Sequence, residues 1–377
     1  MTSMLPAMPP AFGNLRDVFR SAEASVKGEE NPCGLAPVSS AIVIMVDGLG
    51  ARNLENRAQD APFLSSSRSE DIYCGFPSTT AVSIASFASG RTSSEHGLFG
   101  YRIYDRSRKE SVNLLSGLDQ YGVLDYLLAD PISTTSSLVV HAVTLSAYEH
   151  SGMTRATMHK AVHHFADTIE QRFKIAAELA RQARSLIYLY VPELDQCAHK
   201  FGVASGQWDE LLRRVELSAI DLAAQIPDST GVLLTADHGI LDVDSSKHIY
   251  LDLITELDRK VVDVGGDPRV AYLYLTPQAN RETIRRSLRE ELGERASVLD
   301  PTELVNHGLW QESLLAEDDL LPDLVLVALD EVAFYHRDFA KATSMQMIGQ
   351  HGGLSDTEIR IPLIKFGAYG QERIVRN

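Results

Sequence analysis

The chain has 377 residues, of which 44% are apolar, and it carries a formal net charge of −16. Its length exceeds the usual size of a single hydrophobic core, so we expect one large domain or a domain with an insertion. The negative charge disfavours binding to nucleic acid polymers and to anionic membranes, because both require clustered Lys and Arg side chains.

The amino-terminal segment, residues 1–10, has no basic stretch followed by an apolar stretch, so we expect no signal peptide. No apolar run in the sequence approaches the length of a membrane span. The three cysteines, Cys33, Cys74 and Cys197, are too few and too scattered for a disulfide framework. These features predict a cytoplasmic protein that does not bind membranes.

The first predicted strand, residues 40–46, is entirely apolar after its first residue and ends at Asp47-Gly48. An Asp-Gly pair after a strand is usually only a turn. The alternative is that Asp47 belongs to a functional site, because ligands of open α/β sheets bind at the carboxyl ends of the strands.

A hydroxyl-rich turn and a run of small residues follow in residues 75–90. Pro77 and the hydroxyl residues Ser78 and Thr79 predict a turn, and the small residues after them predict a buried helix. Thr80 then lies in the first turn of that helix, where free backbone N–H groups favour an alkoxide or a phosphoryl oxygen. Coordination to a metal ion would lower the pKa of the Thr80 hydroxyl and make it a nucleophile. Simple helix capping is the alternative.

The middle of the sequence alternates between strands and helices, which predicts right-handed crossovers and a mostly parallel sheet with helices on both faces. Asp195 and His199 lie four residues apart, a spacing suited to one metal ion, although such pairs are common without one. The predicted strands are residues 137–140, 186–191 and 231–236, and the predicted helices are residues 155–184 and 206–226, the second capped by Ser205.

Asp237 and His238 directly follow the strand at residues 231–236. Two adjacent polar residues at a strand end rarely serve packing. Because the carboxyl ends of parallel strands share one edge of the sheet, we expect Asp237 and His238 to lie close to Asp47 and Asp195.

Residues 241–345 are expected to form an inserted, smaller α+β subdomain. Beyond it, His351 lies between glycines that allow its backbone to approach a ligand closely, although a solvated glycine-rich loop is the alternative. The expected organisation is an amino-terminal arm at residues 1–39, a catalytic α/β core at residues 40–240 and 346–377, and the insertion, with strands at 269–275 and 323–329, a helix at 281–292 and a last core strand at 359–364.

Taken in order, these motifs resemble the alkaline phosphatase superfamily and, within it, the nucleotide pyrophosphatase/phosphodiesterase branch. The resemblance implies an alkaline-phosphatase-like fold and a nucleophile at Thr80. It further implies that Asp195, His199 and His351 bind one zinc ion and that Asp47, Thr80, Asp237 and His238 bind another. The resembling segments are residues 46–48, 76–80, 93–97, 193–202, 236–239 and 351–352.

The residue types agree with this ligand assignment. Two His with one carboxylate, and two carboxylates with one His, suit Zn²⁺ with open positions for substrate, and Mn²⁺ would tolerate the oxygen-rich set. The prediction is therefore a two-metal hydrolase that cleaves a phosphodiester or pyrophosphate bond in a small phosphorylated substrate. The resemblance implies a covalent phospho-threonine intermediate at Thr80.

The sequence departs from the family pattern at one substrate contact. The family usually places an Asn on a non-bridging phosphoryl oxygen, and Tyr101 stands at that position here, either as a hydrogen-bond donor to substrate or as a packed aromatic. A phosphomonoesterase or phosphonate hydrolase on the same fold is one alternative function. A catalytically inactive metal-binding protein is another, and a phosphate-transferring mutase is a third. The sequence does not indicate the natural substrate or the oligomeric state.

Overall fold

The computed structural model describes Leu5 and residues 13–118, 126–182, 184–317 and 319–370. The amino-terminal segment in which we expect no signal peptide lies, apart from Leu5, outside the described residues. None of the described helices has an apolar stretch long enough to cross a membrane.

A seven-stranded, mostly parallel sheet forms the centre of the molecule. The strands of this sheet are β1 (Ser40–Val46), β2 (Arg68–Tyr73), β5 (Val139–Thr144), β6 (Val162–Phe165), β7 (Ser185–Val191), β8 (Thr230–Thr235) and β17 (Arg360–Gly367). They lie in the order β2-β17-β8-β1-β7-β5-β6. Strands β8, β1, β7, β5 and β6 run parallel, whereas β17 is antiparallel to both of its neighbours.

Both faces of this sheet are covered, since every residue of β1, β7 and β8 is buried. On one face Phe19 and Phe87, from the first and fourth helices, pack around Tyr188 of β7, with ring centroids 6.3 and 5.4 Å away. The helices are α1 (Leu15–Lys27), α2 (Ala51–Glu55), α3 (Pro62–Ser66), α4 (Thr80–Ser89), α5 (Ser93–His96), α6 (Ile132–Thr135), α7 (Gly152–Thr157), α8 (Ile169–Leu179), α9 (Glu193–Phe201), α10 (Gly206–Gln225), α11 (Arg281–Leu292), α12 (Pro301–Asn306) and α13 (Asp356–Ile359).

A second, four-stranded antiparallel sheet lies within the segment expected to be an insertion. The strands of this second sheet are β11 (Val261–Asp267), β12 (Val270–Leu275), β13 (Ala296–Leu299) and β14 (Leu324–Ala328). They lie in the order β11-β12-β14-β13. Helix α11 packs against β13, and its Ile284 and Leu288 are fully buried in a second hydrophobic cluster. The remaining short strands are β3 (Arg102–Asp105), β4 (Glu110–Asn113), β9 (Leu241–Asp242), β10 (His248–Tyr250), β15 (Ala333–Tyr335) and β16 (Gly349–Gln350).

The predicted α/β fold with a mostly parallel sheet is confirmed, but the long helix predicted at residues 155–184 is wrong. The chain there forms the end of α7, then the edge strand β6, and then α8. Val162 and Phe165 satisfy a helical spacing, yet they pair with β5 at His141 and Thr144. The gain from extending the sheet by one strand overrides the local helical pattern.

Candidate active site

The three central strands end level with one another and bring their carboxyl-terminal residues to one edge. Val46 pairs with Val191, and Met45 pairs with Thr235, so β1, β7 and β8 finish in register. Asp47 follows β1, Asp195 and His199 lie on α9 after β7, and Asp237 and His238 follow β8. The cluster expected from the sequence is therefore present.

Close approach of these strand ends depends on Gly48. Its φ is +73°, and a Cβ atom there would lie 3.2 Å from the Cα of Asp195. Glycine accepts this left-handed conformation without steric cost and leaves room for α9. The turn after β1 is thus both the local structure that the Asp-Gly pair predicts and the reason why Asp47 lies beside Asp195.

Thr80 and His351 reach the same place from other directions. Thr80 is the first residue of α4, and its Oγ1 lies 3.1 Å from Nε2 of His238. His351 follows β16, and its ring stacks on His238 with centroids 3.7 Å apart. The helix-cap alternative for this segment is not what the structure shows, because the Thr79 hydroxyl makes no cap hydrogen bond.

All seven side chains from the sequence prediction therefore meet. Nε2 of His238 lies 3.4 Å from a carboxylate oxygen of Asp47 and 3.4 Å from one of Asp237. Asp195 lies 3.2 Å from Nε2 of His199 and 3.8 Å from Nε2 of His351. Two groups of three side chains could each hold a metal ion, because the ligand atoms within each group lie within 4.8 Å of one another. One group is Asp47, Asp237 and His238, and the other is Asp195, His238 and His351.

The three imidazoles are oriented in the same way. Each donates its Nδ1–H to a backbone carbonyl, which fixes the tautomer and leaves Nε2 facing the cluster. The pairs are His199 with Gly349 at 2.8 Å, His238 with Gly239 at 3.2 Å and His351 with Ser78 at 3.0 Å.

The three carboxylates share a second feature: one oxygen of each is buried without a hydrogen-bond partner among the described residues. These atoms are Oδ1 of Asp47, Oδ1 of Asp195 and Oδ2 of Asp237. The other oxygen is held in place, since Tyr190 donates its hydroxyl to Asp47 Oδ2, and Asp237 Oδ1 accepts two backbone N–H groups. Buried carboxylate oxygens left free in this way fit a divalent cation.

The electrostatics of the cluster are compatible with a bound cation. Burial, together with repulsion from its acidic neighbours, raises the pKa of Asp47, and burial raises the pKa of Asp237 to about 6. Burial alone would lower the pKa of His199, but the charge and hydrogen bond of Asp195 raise it to about 9. Burial lowers the pKa of His238 to about 4. A bound cation would stabilise the ionised carboxylates and the neutral imidazoles.

A cavity of about 440 Å³ opens onto the cluster and is lined by Thr80, Asp195 and His351. Tyr101, the residue at the expected Asn position, also lines it, and burial raises the pKa of its phenol. One wall is aromatic and apolar, and no Lys or Arg of the described residues lines the cavity. That wall includes Tyr148, Tyr188, Tyr190, Met153 and Met158.

Two residues of the site belong to no sequence motif that predicts a function. Tyr190, which holds Asp47, lies inside strand β7, where a tyrosine is ordinary for a buried strand. Asp267 ends β11 and lines the cavity. The only sequence signal for it is the turn-forming run Gly265-Gly266-Asp267-Pro268, which predicts a turn and no function.

A family model described as type I phosphodiesterase/nucleotide pyrophosphatase matches residues 41–354. Murine ectonucleotide pyrophosphatase/phosphodiesterase 5 is structurally similar, with a TM-score of 0.68 and 16% identity over 86% of this chain and 87% of that chain. Phosphonoacetate hydrolase from Sinorhizobium meliloti 1021, solved with phosphonoacetate, has a TM-score of 0.66 and 19% identity over 88% of this chain and 91% of that chain. No curated protein sequence matches significantly. At these identities the structural likeness establishes the fold alone.

Proposed function

Because this chain belongs to the type I phosphodiesterase/nucleotide pyrophosphatase family, we propose that it is a two-metal hydrolase of phosphodiester or pyrophosphate bonds, with Thr80 as nucleophile. One observation carries the proposal. Three buried carboxylates, each with a free oxygen, and three oriented imidazoles surround the hydroxyl at the start of α4.

We assign Asp195, His199 and His351 to one metal ion, and the remaining four residues of the cluster to the other. The free oxygens of the carboxylates and the inward-facing Nε2 atoms support two neighbouring metal positions. The grouping of Asp195 with His199 and His351 is supported by their distances to its carboxylate, 3.2 and 3.8 Å. The mixed nitrogen and oxygen set favours Zn²⁺, and Mn²⁺ is the alternative. Bound divalent ions would supply the positive charge that lowers the pKa of the Thr80 hydroxyl and stabilises the leaving oxygen.

Thr80 performs the covalent chemistry in this proposal. Its hydroxyl loses a proton, and Oγ1 forms a bond to phosphorus while the bond from phosphorus to the leaving oxygen breaks. The leaving oxygen takes up a proton, and the leaving group departs as the alcohol or, from a pyrophosphate, as the phosphate. Water then attacks the phospho-threonine, releasing the phosphorylated product and restoring the hydroxyl. The first turn of α4 directs free backbone N–H groups at the phosphoryl oxygens during both steps.

The cavity favours a monoanionic phosphodiester over a dianionic phosphate monoester. Monoesters usually require an added Lys, Arg or third cation near the phosphoryl group, and no Lys or Arg of the described cavity residues supplies that charge. The apolar wall at Met153 and Met158 suits an organic group on the second ester oxygen. The substrate in this proposal is a small phosphorylated molecule, contacted in part by Tyr101.

Two further parts of the proposal concern organisation and location. We assign residues 241–345 to an inserted subdomain that forms one wall of the cavity, supported by Asp267, Pro268 and Ser344 in its lining. We also propose a cytoplasmic location, supported by the absence of disulfides, since all three cysteines are unpaired.

Comparing two chromogenic esters tests the proposed substrate class. The metal-loaded protein is expected to hydrolyse bis-p-nitrophenyl phosphate with a higher kcat/KM than p-nitrophenyl phosphate. A higher kcat/KM for the monoester would favour the phosphomonoesterase alternative. Hydrolysis of neither ester by the metal-loaded protein, joined to tight metal binding, would favour the inactive metal-binding alternative.

A further inference from the structure

Asp267 is a buried carboxylate of the cavity that neither metal set uses. It is the last residue of β11, its exposed fraction is 8%, and it lines the same cavity as Thr80. Its Oδ1 accepts a hydrogen bond of 3.3 Å from Oγ1 of Thr79, the residue before the nucleophile. Its Oδ2 has no hydrogen-bond partner among the described residues. An acidic group therefore stands next to the position where a phosphoryl group would bind.

Two glycines allow the backbone to pack closely around Asp267. The φ of Gly266 is +75°, and a Cβ there would lie 2.0 Å from the carbonyl oxygen of Val270, so a tight turn follows Asp267. The φ of Gly352, next to His351, is +120°, and a Cβ there would lie 2.8 Å from the Cβ of Asp267. Both glycines permit a close approach that larger residues would prevent.

No Lys or Arg of the described residues pairs with Asp267 or lines the cavity. Burial raises the pKa of Asp267 to about 7, while the Thr79 hydrogen bond and the charge of His199 act in the opposite direction. Each further negative charge on a bound substrate is therefore opposed at short range.

We propose that Asp267 is a specificity-determining residue, which selects monoanionic phosphodiesters by repelling the second charge of dianionic phosphate monoesters. The inference rests on the proposed function and adds a cause for its substrate preference. Without a Lys or Arg in the cavity, the second negative charge of a monoester is not stabilised. The carboxylate of Asp267 additionally repels that charge and weakens monoester binding. Thr79 orients the carboxylate through its hydroxyl, and Asp267 takes no part in bond making.

The test is Asp267→Asn, which keeps the shape of the side chain and an acceptor for Thr79 while removing the charge. Asp258→Asn is the matched control, because Asp258 is exposed and lies in the same inserted segment. Both are assayed above the pKa of Asp267 on p-nitrophenyl phosphate and bis-p-nitrophenyl phosphate. Asp267→Asn should raise the monoester-to-diester ratio of kcat/KM by at least about tenfold, since at an effective dielectric constant of about 20 one charge has a tenfold effect even from about 12 Å away. Asp258→Asn should leave the ratio at the wild-type value.

A binding measurement separates this inference from the proposed function. Isothermal titration of the metal-loaded proteins with inorganic phosphate, a dianion under these conditions, and with dimethyl phosphate, a monoanion, requires no turnover. Asp267→Asn should tighten phosphate binding more than dimethyl phosphate binding. Wild-type protein that cleaves neither ester would refute the proposed function, and the two dissociation constants would still decide the role of Asp267.

An unchanged or lowered monoester-to-diester ratio in Asp267→Asn, with unchanged phosphate binding, would overturn the inference. Should Asp267→Asn fail to fold, Asp267→Ser removes the same charge with a smaller side chain and has the same expected result. A proportional loss of activity on both esters, with no change in their ratio, would show a structural role only and would also overturn it.

Discussion

Replacing Glu358 by Gln is expected to destabilise the protein by about 3–5 kcal/mol, because it leaves a buried guanidinium without its counter-charge. The Arg269 and Glu358 side chains are 1% and 0% exposed, and two hydrogen bonds of 3.1 and 3.0 Å join them. The expected loss of stability is larger than for a surface ion pair, since water cannot solvate the buried charge that remains. The free energy of unfolding from urea titration measures the effect.

Asp356→Asn is the matched control, because Asp356 pairs with Arg52 at 2.7 Å while both side chains are about half exposed. This variant should lose less than about 1 kcal/mol. Glu358 also accepts the backbone N–H of Gly353 at 2.8 Å, two residues after His351, so its replacement should weaken metal binding as well. Equal unfolding free energies for the two variants would refute the argument from burial.

Two further predictions concern the metal centre. Tyr190→Phe should weaken metal binding about ten- to hundredfold, because Asp47 loses the hydroxyl that orients it; competition with a chelator measures this, and wild-type affinity would contradict it. Metal binding at neutral pH should release protons, because the pKa of His199 is raised to about 9 and it must lose its proton to become a ligand. The metal affinity should therefore rise with pH up to that pKa, and calorimetry in buffers of different ionisation enthalpy counts the protons; binding without proton release would contradict the assignment of His199.

The central strands could be predicted because their signals are local. Each is a continuous apolar run bounded by turn residues, which is what a strand buried on both faces requires. The helix at residues 206–226 could also be predicted from local sequence, since Ser205 accepts the N–H of Trp208 as its cap. Strand β6 could not be predicted in this way, because Val162 and Phe165 fit a helical spacing and their pairing with β5 depends on distant residues.

Some residues of the candidate site could likewise be predicted from the sequence, and others could not. Residues such as Asp47 and Asp237 were found because they follow strands whose ends must meet at one edge. Tyr190 and Asp267 were not found, because their importance lies in contacts to Asp47 and Thr79 that no sequence spacing encodes. Helix α1, which packs on α4 and β1, was not predicted either, because its segment contains no motif.

The most direct test of the account is metal content by elemental analysis, paired with hydrolysis of bis-p-nitrophenyl phosphate, for the wild-type protein, Thr80→Ala and Thr80→Ser. We expect close to two zinc ions per wild-type chain, loss of diesterase activity in Thr80→Ala, and partial activity in Thr80→Ser, which keeps a hydroxyl nucleophile. Thr80→Ala with wild-type activity, or wild-type protein that hydrolyses the diester without bound metal, would contradict the account.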